Sequence, residues 1–102
     1  MCEMYGFKLN RVLICVVQVV VFSKSFCPYC KKTKVLLKDL SVDAKIIELD
    51  EIDNGSQIQD ALLEITGQRT VPNVFIKGEH MGGNDDMQKA AKSGVLQKKL
   101  GI

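Results

Sequence analysis

One histidine and no tryptophan occur in the 102 residues. His80 has no carboxylate or second histidine at triad or ligand spacing, so it points to neither a hydrolytic triad nor a metal site and is expected on a strand surface. The chain also lacks net charge: fourteen basic and twelve acidic residues leave +2, which gives no global attraction for nucleic acid. No apolar run is long enough to span a membrane. Repeats, linkers and low-complexity tracts are missing too. What these absences leave is one small domain, 1–102, of ordinary globular composition, with 46% hydrophobic and 25% charged residues. Its length permits a modest core.

Proline is scarce as well. There are only two, Pro28 and Pro72, and each falls in an informative stretch. Phe26-Cys27-Pro28-Tyr29-Cys30 lies between an apolar run, Val19–Phe22, and a helix-like run, Lys31–Leu40. The uninterrupted apolar run reads as a strand buried on both faces. Cys27 then stands at a strand–helix junction with Pro28 at the first helical position, where the missing N–H is harmless and φ is already set. As N-cap, the Cys27 sulfur is expected beside unpaired backbone N–H groups at the positive end of the helix dipole. A thiol held there ionises more easily, and the thiolate is the reactive form. Cys30, one turn on, falls on the inner side, so Cys27 is expected exposed and Cys30 shielded.

The four cysteines are Cys2, Cys15, Cys27 and Cys30. An even count suits a secreted disulfide scaffold, but the core pattern is good and no clear secretory signal precedes it. A Cys-x-x-Cys beside a strand–helix unit reads as a redox motif in an intracellular protein, here expected to be cytoplasmic. Lys8 and Arg11 before the apolar stretch Val12–Phe22 do imitate the charged and hydrophobic parts of a leader. Its removal would delete the strand entering Cys27, so retention as a buried element is expected.

Further elements follow from period and punctuation. The helix Pro28–Leu40 is expected to bury a face of Tyr29, Cys30, Thr33, Leu36, Leu37 and Leu40, with Lys31, Lys32 and Lys34 on a solvated face. Lys45–Leu49 reads as a second strand, and a strand–helix–strand unit implies parallel pairing through a right-handed crossover. Ser56 and Gln59 suggest a capping box for a helix that stops at Gly67. Asp53 and Asp60 are expected to serve solubility and the helix dipole. Pro72 reads from the residues alone as a simple strand-starting proline before a third strand, Asn73–Lys77. It pushes Val71 to be extended, and a Val71 backbone left free to pair with an extended ligand is the less favoured alternative. Gly78 turns the chain into an antiparallel fourth strand, Glu79–Met81. Asn84 is the expected N-cap of a helix to Ser93, with Asp85 and Asp86 in its first turn. Gly94 ends that helix, and Val95–Leu100 adds a last turn or two.

Three motifs in this order resemble a dithiol glutaredoxin: Lys24 with Cys27-Pro28-Tyr29-Cys30, then Thr70-Val71-Pro72, then Gly82-Gly83-Asn84-Asp85-Asp86. The resemblance runs from about Val19 to the C-terminus, and the stretches Gln57–Asn73 and Val74–Asp86 resemble eukaryotic, cytosolic-type members. The family usually opens with an amphipathic helix, which Met1–Val17 does not spell out, so 1–17 is an atypical N-terminal segment. The resemblance implies a thioredoxin-like α/β fold, a four-stranded mixed sheet flanked by helices on both faces. It implies glutathione as co-substrate with no permanently bound cofactor, and a monomer. By position, Cys27 resembles the nucleophile, Cys30 the resolving cysteine and Pro72 the cis-proline. Lys24, Tyr29, Gln68, Thr70, Val71, Asp85 and Asp86 correspond to the glutathione groove. Its chemistry agrees: Lys24 and Gln68 suit the glycyl carboxylate, Val71 the cysteinyl backbone, and the helix start at Asp85-Asp86 the γ-glutamyl end.

The expected activity is glutathione-dependent exchange on mixed disulfides and on disulfides of client proteins. One rival is an iron–sulfur or metal-binding module using the two thiolates with glutathione; a closed site needs about four ligands, and Cys2, Cys15 and His80 show no matching spacing. The other is a thioredoxin proper, against which stand the missing tryptophan and a Pro-Tyr pair between the cysteines.

Overall fold

The computed structural model describes residues 19–102. The chain runs β1 (Val19–Ser23), α1 (Pro28–Asp39), β2 (Ala44–Glu48), a single 3-10 turn (Leu49–Glu51), α2 (Gly55–Thr66), β3 (Asn73–Ile76), β4 (Glu79–Gly82), α3 (Asn84–Ser93) and α4 (Val95–Leu100). The expectations for Cys2, Cys15 and a first helix within 1–17 lie outside the described residues. Val19–Phe22, the end of the leader-like stretch, is built into the sheet.

The strands form one mixed sheet in the order β2-β1-β3-β4. β1 and β2 are parallel, Val19 opposite Ala44 and Ser23 opposite Glu48, as the α1 crossover requires. β3 lies antiparallel to β1, with Val19 opposite Ile76 and Val21 opposite Val74. Alternate residues of a strand share a face, so these four side chains form one apolar patch. Leu37 of α1, Met87 of α3, and Leu96 and Leu100 of α4 close over it. Burying each of these larger side chains contributes about 1.5–3 kcal/mol. On the other face of β1 and β3, Phe22 meets Phe75 edge-on at 5.9 Å, and Phe75 meets the ring of exposed His80 at 5.3 Å.

Several local expectations need correction. α2 starts at Gly55 with Asn54 as N-cap and no side-chain cap, in place of a Ser56–Gln59 box. Gln59 is instead buried and donates Nε2–H to the Arg69 carbonyl at 2.9 Å, tying α2 to the loop before Pro72. β3 stops at Ile76 because Lys77 and Gly78 both take positive φ, 53° and 81°, the pair a tight two-residue hairpin demands. Asn84 is the first residue of α3, with Gly83 as N-cap. Tyr29 is 58% exposed and does not join the inner face of α1. Lys34 is no solvated lysine: its ammonium meets Glu48 Oε2 at 2.5 Å, pairing α1 with β2. Asp60 carries the Arg69 guanidinium at 3.1 Å.

The start of α2 depends on a close approach. A Cβ on Gly55 would sit 1.8 Å from the Leu49 carbonyl oxygen, an overlap only a backbone shift can relieve. Gly55→Ala is therefore expected to lower stability by about 1–3 kcal/mol, measured by urea denaturation. An unchanged midpoint would show that the 3-10 turn and α2 separate freely.

Candidate active site

Cys27 is the N-cap of α1, extended at φ −84° and ψ 119°, and Pro28 opens the helix. Its Sγ accepts the Cys30 N–H at 3.2 Å, a bond that strengthens when the acceptor is charged. The loop before it is fixed at two points. The Cys27 N–H donates to the Lys24 carbonyl at 3.0 Å. Ser25 donates its N–H to Asp50 Oδ1 at 2.9 Å and its hydroxyl to Asp50 Oδ2. Those two Ser25 bonds, the hydroxyl first, hold the Asp50 carboxyl below its ordinary range.

Cys27 is partly accessible, whereas Cys30 is fully buried. Burial, reinforced by its hydrogen bond with the Cys27 side chain, pushes the Cys30 thiol up from 9.0 to about 11. The two sulfurs thus differ in access, and burial holds the Cys30 thiol protonated well above neutrality.

A cleft of about 500 Å³ adjoins this turn, lined by Tyr29, Gln68, Thr70, Val71, Pro72, Gly83, Asn84, Asp85 and Asp86. The structure therefore brings together Pro72 and six of the seven residues expected to form the tripeptide groove. The seventh, Lys24, is absent from the lining, and its charge acts on Asp50. The Val71-Pro72 bond is cis. The Val71 carbonyl lies 3.8 Å from Cys27 Sγ, which can donate its S–H there, while the Val71 N–H has no partner among the described residues. Gln68 does not present a free donor as expected: its Nε2 is spent on the Thr70 and Pro72 carbonyls at 3.1 and 3.0 Å. It shapes the loop.

The far wall is the start of α3. The first-turn N–H groups of Asn84, Asp85 and Asp86 have no intrahelical acceptor. Asp86 Oδ2 turns back to the Gly83 N–H at 3.2 Å. Gly82, at φ 110°, leaves room for that carboxylate, since a Cβ would meet it at 2.1 Å. Sequence reasoning missed what joins this wall to α1. Buried Thr33 donates its hydroxyl to Asn84 Oδ1 at 3.0 Å, and Gln88 Nε2 donates to the same oxygen at 3.1 Å. A threonine within an otherwise apolar stripe was the available signal. Among the described residues, no three His, Cys, Asp or Glu side chains cluster to hold a metal ion.

The mixed sheet, the Cys-x-x-Cys at the head of its first helix and the cis-proline loop facing it define a dithiol protein of the thioredoxin-like fold. The chain belongs to the glutaredoxin family, whose sequence profile matches residues 19–81. It is 57% identical over 82 residues to Glutaredoxin-1 of Rhizophagus irregularis, covering 80% of this chain and 81% of that one. It is 53% identical to Glutaredoxin-C4 of Arabidopsis thaliana over 83% of this chain, a stretch that spans 63% of the plant protein. A buckwheat glutaredoxin solved in complex with glutathione superposes with a TM-score of 0.82 at 46% identity, over 87% of this chain and 81% of the other. The holo form of glutaredoxin C1 from Populus tremula x tremuloides has the same TM-score at 44% identity, over 86% and 87% of the two chains.

The contrast between the two sulfurs is measurable. In a Cys2→Ser, Cys15→Ser background, iodoacetamide at neutral pH is expected to label Cys27 alone, with Cys30 reacting only as pH approaches about 11; peptide mass spectrometry reads each site. Because Cys30 ionises near 9.0 when unfolded and near 11 when folded, its contribution to stability is full below pH 9 and is lost as pH rises through 11. Equal labelling of both sulfurs near neutrality would contradict the burial of Cys30.

Proposed function

We propose that this glutaredoxin reduces glutathione mixed disulfides and client-protein disulfides, with glutathione as the electron donor. The observation that carries this is the position of Cys27 Sγ. It lies between the Cys30 N–H and the Val71 carbonyl, beside a cleft whose chemistry matches a tripeptide. The glutathione bound to the buckwheat relative supports the same ligand for this chain.

Val71 pairs with the cysteinyl backbone of glutathione as an added strand would. The γ-glutamyl carboxylate takes the bare N–H groups at the start of α3, and Asp85 takes the ammonium. Lys24 is assigned the glycyl carboxylate. With the tripeptide so held, the Cys27 thiolate attacks the glutathione sulfur. The disulfide breaks, and the client leaves as a thiolate that takes a proton from water. A second glutathione thiolate then attacks the Cys27–glutathione bond, releasing oxidised glutathione and restoring Cys27. On a client disulfide, Cys27 forms the mixed bond and Cys30, once deprotonated, displaces the client, leaving a Cys27–Cys30 disulfide. The chain works in this reading as a monomer of one domain in the cytoplasm, carrying electrons that maintain cell redox balance. Among the described residues no helix is long and apolar enough to cross a membrane.

Steady-state assays separate the roles. Cys27→Ser is expected to abolish turnover of both substrate types. Cys30→Ser is expected to retain deglutathionylation and lose dithiol reduction. Turnover by the Cys27→Ser protein would overturn the assignment. Lys24→Ala is expected to raise KM for glutathione about three- to tenfold with kcat little changed, the scale of one charge-assisted contact. An unchanged KM would remove Lys24 from the groove.

A further inference from the structure

A glutathionylated client has two arms, and the proposed chemistry gives the cleft at Val71 to the tripeptide alone. Cys27 lines a separate groove of about 690 Å³ that shares no residue with that cleft. This second groove runs from the Ser25–Pro28 turn along α1. Phe26, Val35 and Leu36 give it an apolar floor, with Phe26 73% and Val35 52% exposed. Its charges are ordered. Lys31 and Lys32 lie one turn from Cys27, and neither forms an ion pair with an acid among the described residues; Asp39 lies two turns further on. The Ser25–Asp50 bonds brace the end nearest Cys27.

We propose that this groove docks the polypeptide arm of the client, and that it selects an arm carrying an acidic residue beside the cysteine, then apolar residues and then a basic residue. The inference rests on the proposed glutathione chemistry and deepens it. The spacing comes from the helix. Lys31 to Asp39 spans eight residues, about 12 Å at 1.5 Å each. An extended peptide covers that distance in about four residues. An acid beside the client cysteine then faces Lys31 and Lys32, the apolar residues lie over Val35 and Leu36, and a base about four positions on faces Asp39. Opposite charge at both ends fixes the register and the order of charges outward from the cysteine, which charge complementarity does more effectively than it adds affinity.

Glutathionylated peptides of one length test this: cysteine followed by Glu-Leu-Val-Gly-Lys, by the charge-reversed Lys-Leu-Val-Gly-Glu, and by a neutral Gln-Leu-Val-Gly-Gln. The small mixed disulfide of glutathione with mercaptoethanol is the reference, since it has no polypeptide arm. At low salt, kcat/KM is expected to favour the first peptide over the reversed one by about three- to tenfold, and to lose that preference near 1 M salt, where screening extends only about 3 Å. Lys31→Glu is expected to invert the preference. Val35→Glu is expected to lower kcat/KM for all three peptides at both salt concentrations. Neither variant is expected to change turnover of the small disulfide. Lys32 is left intact because its ammonium also lies 5.3 Å from the centre of the Tyr29 ring in the cleft wall. Equal kcat/KM for the three peptides, or an equal loss on the small disulfide in either variant, would overturn the groove assignment while leaving the glutathione reading standing. No turnover of the small disulfide by the unaltered protein would overturn both.

Discussion

The hydrogen bond from the Cys30 N–H to the Cys27 sulfur organises this molecule. It caps α1 with the sulfur proposed as the nucleophile, so helix geometry and the proposed chemistry share one contact. Everything upstream serves to deliver that sulfur. β1 is buried on one face among Val74, Ile76 and Leu37, and the loop leaving it is held by Asp50 and by the turn from Lys24 to Cys27. Everything downstream builds a surface alongside it.

That surface is assembled from distant segments by side-chain hydrogen bonds. Gln59 on α2 holds the Arg69 carbonyl, Gln68 holds Thr70 and Pro72, and Thr33 holds Asn84. The Thr33–Asn84 and Gln59 bonds satisfy side-chain groups of buried residues that would be expensive to leave unpaired. Together they join the loop at Val71 to α2 and the start of α3 to the active-site helix. The cleft is therefore a property of the whole fold, although its lining comes from three short stretches.

Much of this was legible in the sequence because the relevant physics is local. Pro28 after Cys27 predicts the cap, the apolar run Val19–Phe22 predicts β1, and Gly67 and Gly94 mark helix ends that the structure places at those residues. The less legible features are those decided by partners far along the chain. Gln59 looked like a capping residue because its partner, the Arg69 carbonyl, is ten positions away. Asn84 looked like an N-cap because nothing in its neighbourhood announces Thr33. Lys34 looked solvated because Glu48 comes close only when β2 lies beside β1. Gln68 suits a carboxylate by its residue type, and the loop carbonyls that occupy its Nε2 turn toward it only once the chain bends at Pro72.

The central claim is that the cleft beside Cys27 holds a tripeptide, independently of any redox step. Titrating S-methylglutathione, which cannot exchange disulfides, into the 15N-labelled protein tests it most directly. The account predicts saturable chemical-shift changes concentrated at Tyr29, Gln68–Val71 and Gly83–Asp86. Saturable shifts confined to other surfaces, or none up to millimolar ligand, would contradict it.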